Sequence, residues 1–266
     1  MIERIWTAEE ILGADGGPNM VQYARRLDHM IQCLDVLGDD ISEVQMIDQA
    51  GNDAAVVAAA RVSYANDRRQ YDEEKDTGLL RYLMANSHGT PLEHTFIKYR
   101  IKMPLFVIQE LLRHRSGFSF NQSSMRYLQP NEHWDVEFYI PPEFRAQSKK
   151  NRQGSVVSID LDQEQLSYHY EQSVEGSRLT YEALLASGCA RELARGVLPH
   201  SLYSSLYVSV NLRSLFHFLH LRLAPNAQLE IQRLAGGMRD LAEPFFPVLF
   251  REWRALGLDP SVTEAV

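Results

Sequence analysis

Arg113, His114 and Arg115 stand side by side, and the eleven residues after them, S-G-F-S-F-N-Q-S-S-M-R, carry four serines, Asn121, Gln122 and a further cation, Arg126, interleaved with Phe118 and Phe120. Guanidinium forks bind phosphate or planar carbonyl groups through paired hydrogen bonds and stack on rings, while hydroxyls and amides complete a polar pocket. The set suits a nucleotide or a flavin-like ring without deciding between them. Cations at the end of a helix need no ligand, because they complement its carbonyl end. The donor-rich, ring-lined loop expected after them is what points to binding.

A second concentration lies at 206–223, where apolar spacing predicts one mostly buried helix. At about 100° per residue, Asn211, Ser214 and Arg222 share one stripe, and Arg213 and His217 share another on nearly the opposite side. Asn211 or His217 alone would be satisfied by a core hydrogen bond. Arg222 is different, because a buried guanidinium without an anionic partner is costly. Arg191 and Arg195, four apart, share a helix face that is ordinarily solvated. His88 with His94, and His217 with His220, lack the further ligands a zinc site requires, so no metal is expected.

Neither G-x-G-x-x-G after a strand, nor G-x-x-x-x-G-K-[ST], nor G-x-S-x-G occurs. Any cofactor must therefore be held by arginines, amides and helix ends. The chain has 266 residues, 45% hydrophobic and 23% charged, with a formal net charge of −8. That charge argues against sequence-independent nucleic-acid binding. No apolar run reaches the roughly 18 residues of a spanning helix. Cys33 and Cys189 are far apart and follow no secretory signal, which fits a reducing cytoplasm.

These residues must be positioned by an α+β framework. Leu27, Met30, Ile31 and Leu34 predict a packing helix after a turn at 13–18, and 54–60 predicts another. The charged stretch 66–75 reads as a solvated loop or helix end, and 79–85 as helix. Residues 95–103 alternate Ile97, Tyr99, Ile101 and Met103 with Lys98, Arg100 and Lys102, which predicts a half-buried strand. Pro104 suits the start of a helix that Ser116-Gly117 stops, so the Arg-His-Arg triplet is expected in its last turn. A short strand is expected at 136–140, a cationic loop after it, and helices at 165–185, 190–197 and 227–241.

Beyond these readings, the blocks S-H-G-T-P-L-E-H at 87–94, R-H-R at 113–115 with F-S-F-N-Q-S-S-M-R-Y at 118–127, F-Y-I-P-P-E-F-R at 138–145, A-R-E-L-A-R-G-V-L-P at 190–199, N-L-R-S-L-F-H-F-L-H-L-R at 211–222 and A-Q-L-E-I at 227–231 resemble, in order, those of the flavin-dependent thymidylate synthases. The resemblance spans about 50–245. It implies a small antiparallel sheet packed with several long helices, with 1–45 an N-terminal extension, 46–250 the catalytic domain and 251–266 a tail.

The resemblance also implies an activity: FAD-dependent reductive C5-methylation of dUMP with methylenetetrahydrofolate and NADPH, in a homotetramer with shared sites, without membrane or nucleic acid. Arg222 matches the arginine that polarises the uracil, and Ser124 and His88 join it as catalytic-site positions. Thr90, Arg113, His114, Arg115, Gln122, Asn211, Arg213 and His217 match flavin contacts. Glu110, Arg113, Gln122, Ser123, Ser124, Arg126, Arg195 and Arg222 match the nucleotide side. Two departures lie beside the substrate. One extra residue in the turn before Phe120 leaves Ser123 or Ser124 facing the nucleotide, with Ser124 favoured. Glu110 stands where glutamine is usual, and a carboxylate there could repel phosphate or accept from ribose hydroxyls. UMP therefore stands as the alternative substrate, and a non-catalytic flavin and nucleotide binder as the alternative of another class.

Overall fold

The computed structural model describes residues 32–65, 70–127 and 136–262. Strands Cys33–Leu34 (β1) and Glu43–Ala50 (β2) lead into helices Asp53–Arg61 (α1) and Glu73–Ala85 (α2) and the single turn Thr90–Glu93 (α3). Strand Phe96–Pro104 (β3), helix Leu105–Leu111 (α4) and strand Phe118–Gln122 (β4) follow. The hairpin Ala146–Gln147 (β5) and Ser155–Val156 (β6) precedes the long helix Gln163–Ala186 (α5) and the turn Arg191–Ala194 (α6). Strand Tyr203–Val210 (β7) and helices Leu212–Arg222 (α7), Leu229–Ala242 (α8) and Pro247–Ala255 (α9) complete the described chain.

The architecture is α+β: one antiparallel sheet in the order β1-β2-β3-β7-β4, with helices packed on it. Alternation decides its faces. Ile97, Tyr99, Ile101 and Met103 of β3 bury together with Val44 and Met46 of β2 and Leu206, Val208 and Val210 of β7. Each such side chain removed from water contributes about 1.5–3 kcal/mol. Leu215, Phe218, Leu234, Met238, Leu249 and Trp253 from α7, α8 and α9 close the same core, and the Tyr99 hydroxyl donates to the Met238 carbonyl at 2.9 Å. The opposite face is polar, with Lys102 paired to Glu137 at 2.6 Å and Lys98 over the Tyr207 ring.

Five expectations need correction. Residues 206–223 are not one helix: Leu206, Val208 and Val210 bury at period two in β7, and Asn211 then caps α7 by accepting from the Ser214 N–H. Residues 118–122 form β4 rather than a loop, registered on β7 with Phe118 opposite Val210. Helix α4 ends at Leu111, so Arg113, His114 and Arg115 lie just beyond it, in turns closed by Arg113 N–H to Glu110 O and His114 N–H to Leu111 O. Of 136–140 only an isolated bridge, Phe138 to Leu202, has strand pairing. Leu34, expected in a helix, lies instead in β1; residues 27–31 of that expected helix, the turn 13–18 and residues 66–69 of the charged stretch lie outside the described residues. The rest of that stretch starts α2, whose N-cap is Asp72.

Asp53, at the start of α1, is buried and accepts from the backbone N–H groups of Val248 and Leu249, each at 3.0 Å, so it serves the first turn of α9 from nearly 200 residues away. Asp53→Ala leaves both donors buried without a partner, at a cost of about 1–3 kcal/mol. A lowered urea midpoint without a change in m-value is the expected result.

Candidate active site

The site is built where α4 ends, β4 begins and α7 packs on the core. Arg222, in the last turn of α7, donates from Nε to His114 Nε2 at 2.9 Å, from Nη1 to Glu110 Oε2 at 2.8 Å and from Nη2 to the Glu110 carbonyl at 3.3 Å. Arginine has only donors, so His114 Nε2 must be the unprotonated nitrogen and Nδ1 must carry the proton. His114 is buried, edge-on to Phe218 at 4.9 Å and near His217 at 6.3 Å. Burial, then the Arg222 charge and His217, push its pKa down to about 4. Burial likewise raises the Glu110 pKa, against the lowering effect of Arg222. The Arg222 side chain is 21% exposed, so the fork still faces solvent.

A second group surrounds a cavity of about 320 Å³, within the size of small-molecule sites. Gln122, Ser123, Ser124 and Arg195 line it with Leu105, Tyr203 and Ser204. Sequence register explains the polar wall: Gln122 Nε2 donates to Ser204 Oγ at 3.0 Å, Ser123 Oγ lies 3.0 Å from the same atom, and the Ser205 N–H donates to Ser123 Oγ at 3.3 Å. Ser124 Oγ instead accepts from Arg126, weakly, through the backbone N–H at 3.4 Å and Nε at 3.5 Å. Ser123 is thus tied into the sheet, while Ser124 is tied to a cation. Arg195 begins a 3-10 turn after α6 and reaches the cavity; Arg191 donates to the Tyr127 carbonyl, so the pair does not act as one face. Glu110, His114 and Arg222 are not in the cavity lining.

A third group joins α3 to α7. Arg213 pairs with Glu93 and lies against Gly89, where a Cβ would come within 2.4 Å of its Nε. Gly117 has φ +68 and would put a Cβ 2.1 Å from Ser214 Oγ and 2.7 Å from Asn211 Nδ2. Thr95 fixes the junction: its hydroxyl donates to the Leu92 carbonyl at 2.8 Å and accepts from the Leu212 N–H at 2.9 Å. His88 is exposed and edge-on to Tyr82 at 5.5 Å, and Thr90 is exposed beside it. Arg113, Arg115 and His217 are exposed around the buried His114 and Phe218 rings and the half-buried Phe118 ring. Exposed guanidinium and hydroxyl donors beside ring edges, and glycines that admit close approach, are a donor set that fits a dinucleotide flavin.

Sequence reasoning did not identify Tyr203 and Ser204 as pocket walls, or Glu93 as the partner of Arg213. The period-two run L-Y-V-S-V before Asn211 was the available signal for the strand that carries the first two.

Residues 45–248 match the family model described as thymidylate synthase complementing protein. A flavin-dependent thymidylate synthase of Thermus thermophilus is 42% identical over 207 residues, 77% of this chain and 73% of the relative. One from Thermosipho africanus is 40% identical over 211 residues, covering 78% and 88%. The chain belongs to the flavin-dependent thymidylate synthase family. Among solved structures, the UMP/dUMP methylase PolB from Streptomyces cacaoi, bound with 5-Br dUMP, superposes with a TM-score of 0.73 at 36% identity, covering 81% of this chain and 95% of that one. As a member of the flavin-dependent thymidylate synthases the chain is a methyl-transferring enzyme with a flavin cofactor, and no described helix is long and apolar enough to cross a membrane.

Because His114 resists protonation when folded, the unfolded chain binds more protons between the two pKa values, and stability falls as pH drops from about 6.5 to about 4. His114→Gln should flatten that part of the stability profile in urea titrations across the window. Gly117→Ala should destabilise by about 1–3 kcal/mol, read as a lower melting temperature, since a left-handed backbone and a closed space both oppose the methyl group.

Proposed function

We propose that this enzyme carries out FAD-dependent reductive C5-methylation of dUMP, with UMP as the alternative substrate, using methylenetetrahydrofolate and NADPH. The observation that carries the reading is the Arg222 guanidinium, held at all three nitrogens by Glu110 and His114 yet partly open. Of its five N–H groups, three are used internally, leaving one on each terminal nitrogen for a ligand. Those two suit a uracil carbonyl edge and would stabilise the charge left when N3 loses its proton. Bound FAD would supply the reducing electrons drawn from NADPH, and methylenetetrahydrofolate the one-carbon unit.

The chain's other residues divide the binding work. Ser124, Arg126 and Arg195 would take the nucleotide phosphate, with Ser123 and Gln122 shaping the wall. Arg113, Arg115, Thr90, Asn211, Arg213 and His217 would hold the flavin, with His88 beside it. Asn211 already spends its Oδ1 on the Ser214 N–H, so its amide nitrogen is the group left to donate. Among the described residues, the uracil-side cluster and the phosphate-side cavity have no lining residue in common within one chain, which supports sites shared between protomers of a homotetramer. Cys33 and Cys189 are both free thiols, which suits a reducing cytoplasm and a reaction that uses no enzyme cysteine. The UMP reading has its own support in Glu110 and in the activity named for PolB on both nucleotides.

Purified protein should be yellow and should convert dUMP, UMP or both to the 5-methyl product when supplied with NADPH and methylenetetrahydrofolate. Parallel assays on the two nucleotides decide the substrate. Arg222→Gln should lower turnover by roughly 10²–10³-fold. Flavin-loaded protein that yields no methylated product from either nucleotide would be a non-catalytic binder instead.

A further inference from the structure

Glu110 supplies two of the three acceptors that hold Arg222, one from its carboxylate and one from its own carbonyl, at the end of α4. The carbonyl contact depends on backbone position alone, so the side chain's separate contribution is an aimed acceptor and a negative charge. His114, the third acceptor, is neutral, which leaves Glu110 as the direct counter-charge of the fork. A further carboxylate, Glu230 at the start of α8, adds negative potential to Glu110, but Arg145 binds both its oxygens, at 2.8 and 3.0 Å, and so compensates it. Both members of the Glu110–Arg222 pair are partly exposed, at 27% and 21%, so a ligand can reach the fork while the pair stays intact.

We propose that Glu110 is a positioning residue that aims the Arg222 fork and, through its charge, sets how strongly that fork favours an anionic over a neutral uracil. The proposal rests on the reading of Arg222 as the uracil ligand. Glutamine has the same shape and would still accept from Nη1 through its amide oxygen, but it would leave the guanidinium charge uncompensated. Alanine would remove both the acceptor and the charge. The two roles of the carboxylate are therefore separable by substitution.

A bromine at C5 withdraws electrons and acidifies the N3–H, so 5-bromo-dUMP presents an anionic ring more readily than dUMP at the same pH. The ratio of the two dissociation constants reads the charge preference of the site without turnover. Calorimetric titration of the flavin-loaded full chain with each nucleotide, in the wild type, Glu110→Gln, Glu110→Ala and Arg222→Gln, is the test. Glu110→Gln should raise the preference for 5-bromo-dUMP by roughly fivefold, the scale of a partly exposed ion pair. Glu110→Ala should raise it similarly while weakening both ligands, because the fork loses its aim. Arg222→Gln should abolish the preference. A Glu110→Gln ratio equal to that of wild type, with the preference lost in Arg222→Gln, overturns the role of Glu110 and leaves that of Arg222 standing. An Arg222→Gln ratio equal to that of wild type overturns the reading of Arg222 itself. Unweakened binding in Glu110→Ala overturns the positioning role, and if Glu110→Gln does not fold, the ratio in Glu110→Ala decides the charge role.

Discussion

A guanidinium cannot shed its proton, and so each of its nitrogens must find an acceptor or water. In this protein that requirement organises the neighbourhood of Arg222. His114 has to present a bare Nε2, which its burial among Phe118, Phe218 and His217 enforces, and α4 has to stop where the Glu110 carbonyl can turn towards α7. The end of α4 at Leu111, the turn at Gly117 and the direction of β4 follow from that meeting. A bulkier residue at 117 would collide with Ser214 and Asn211 and push the triplet off the helix it faces.

Strand β7 then connects the chemistry at its two ends. Its first residues, Tyr203, Ser204 and Ser205, support the wall that holds Gln122 and Ser123, and its last, Val210, delivers Asn211 to cap α7. The wall at Gln122 and Ser123 and the cap of α7 are therefore spaced by the rise of one strand in an antiparallel ladder, which is a stiffer ruler than a loop. Thr95 adds a second fixed joint, since one hydroxyl serves both the α3 carbonyl end and the first N–H of α7.

Much of the chemistry was legible because its residue types are adjacent: the Arg-His-Arg triplet and the polar run to Arg126 can be seen without a fold. Strand β3 was legible because its apolar residues alternate without interruption. Strand β7 was not, because its last apolar residue is followed at once by the helix of Leu212, Leu215 and Leu219, and the merged pattern reads as one period. Strand β4 was hidden for another reason. Its exposed positions are Ser119 and Asn121, residues that local propensity assigns to turns, and only pairing with β7 overrides that preference. The Glu110–Arg222 contact lies beyond any local pattern, since 112 residues separate the two and nothing in either segment specifies the other.

The late position of β7 in the chain bears on how the molecule is made. Gln122 waits for Ser204, 82 residues downstream, and His114 waits for Arg222, 108 residues downstream. Loop-closure entropy must be overcome before such distant partners reward it. Until β7 is made, β1, β2 and β3, three of the five strands, therefore form a ladder with β3 as an unpaired edge, the kind of surface that recruits other chains. The contacts of Gln122 and His114 need residues made late in the chain, so a flavin that binds only the folded arrangement would also protect the new chain from aggregation.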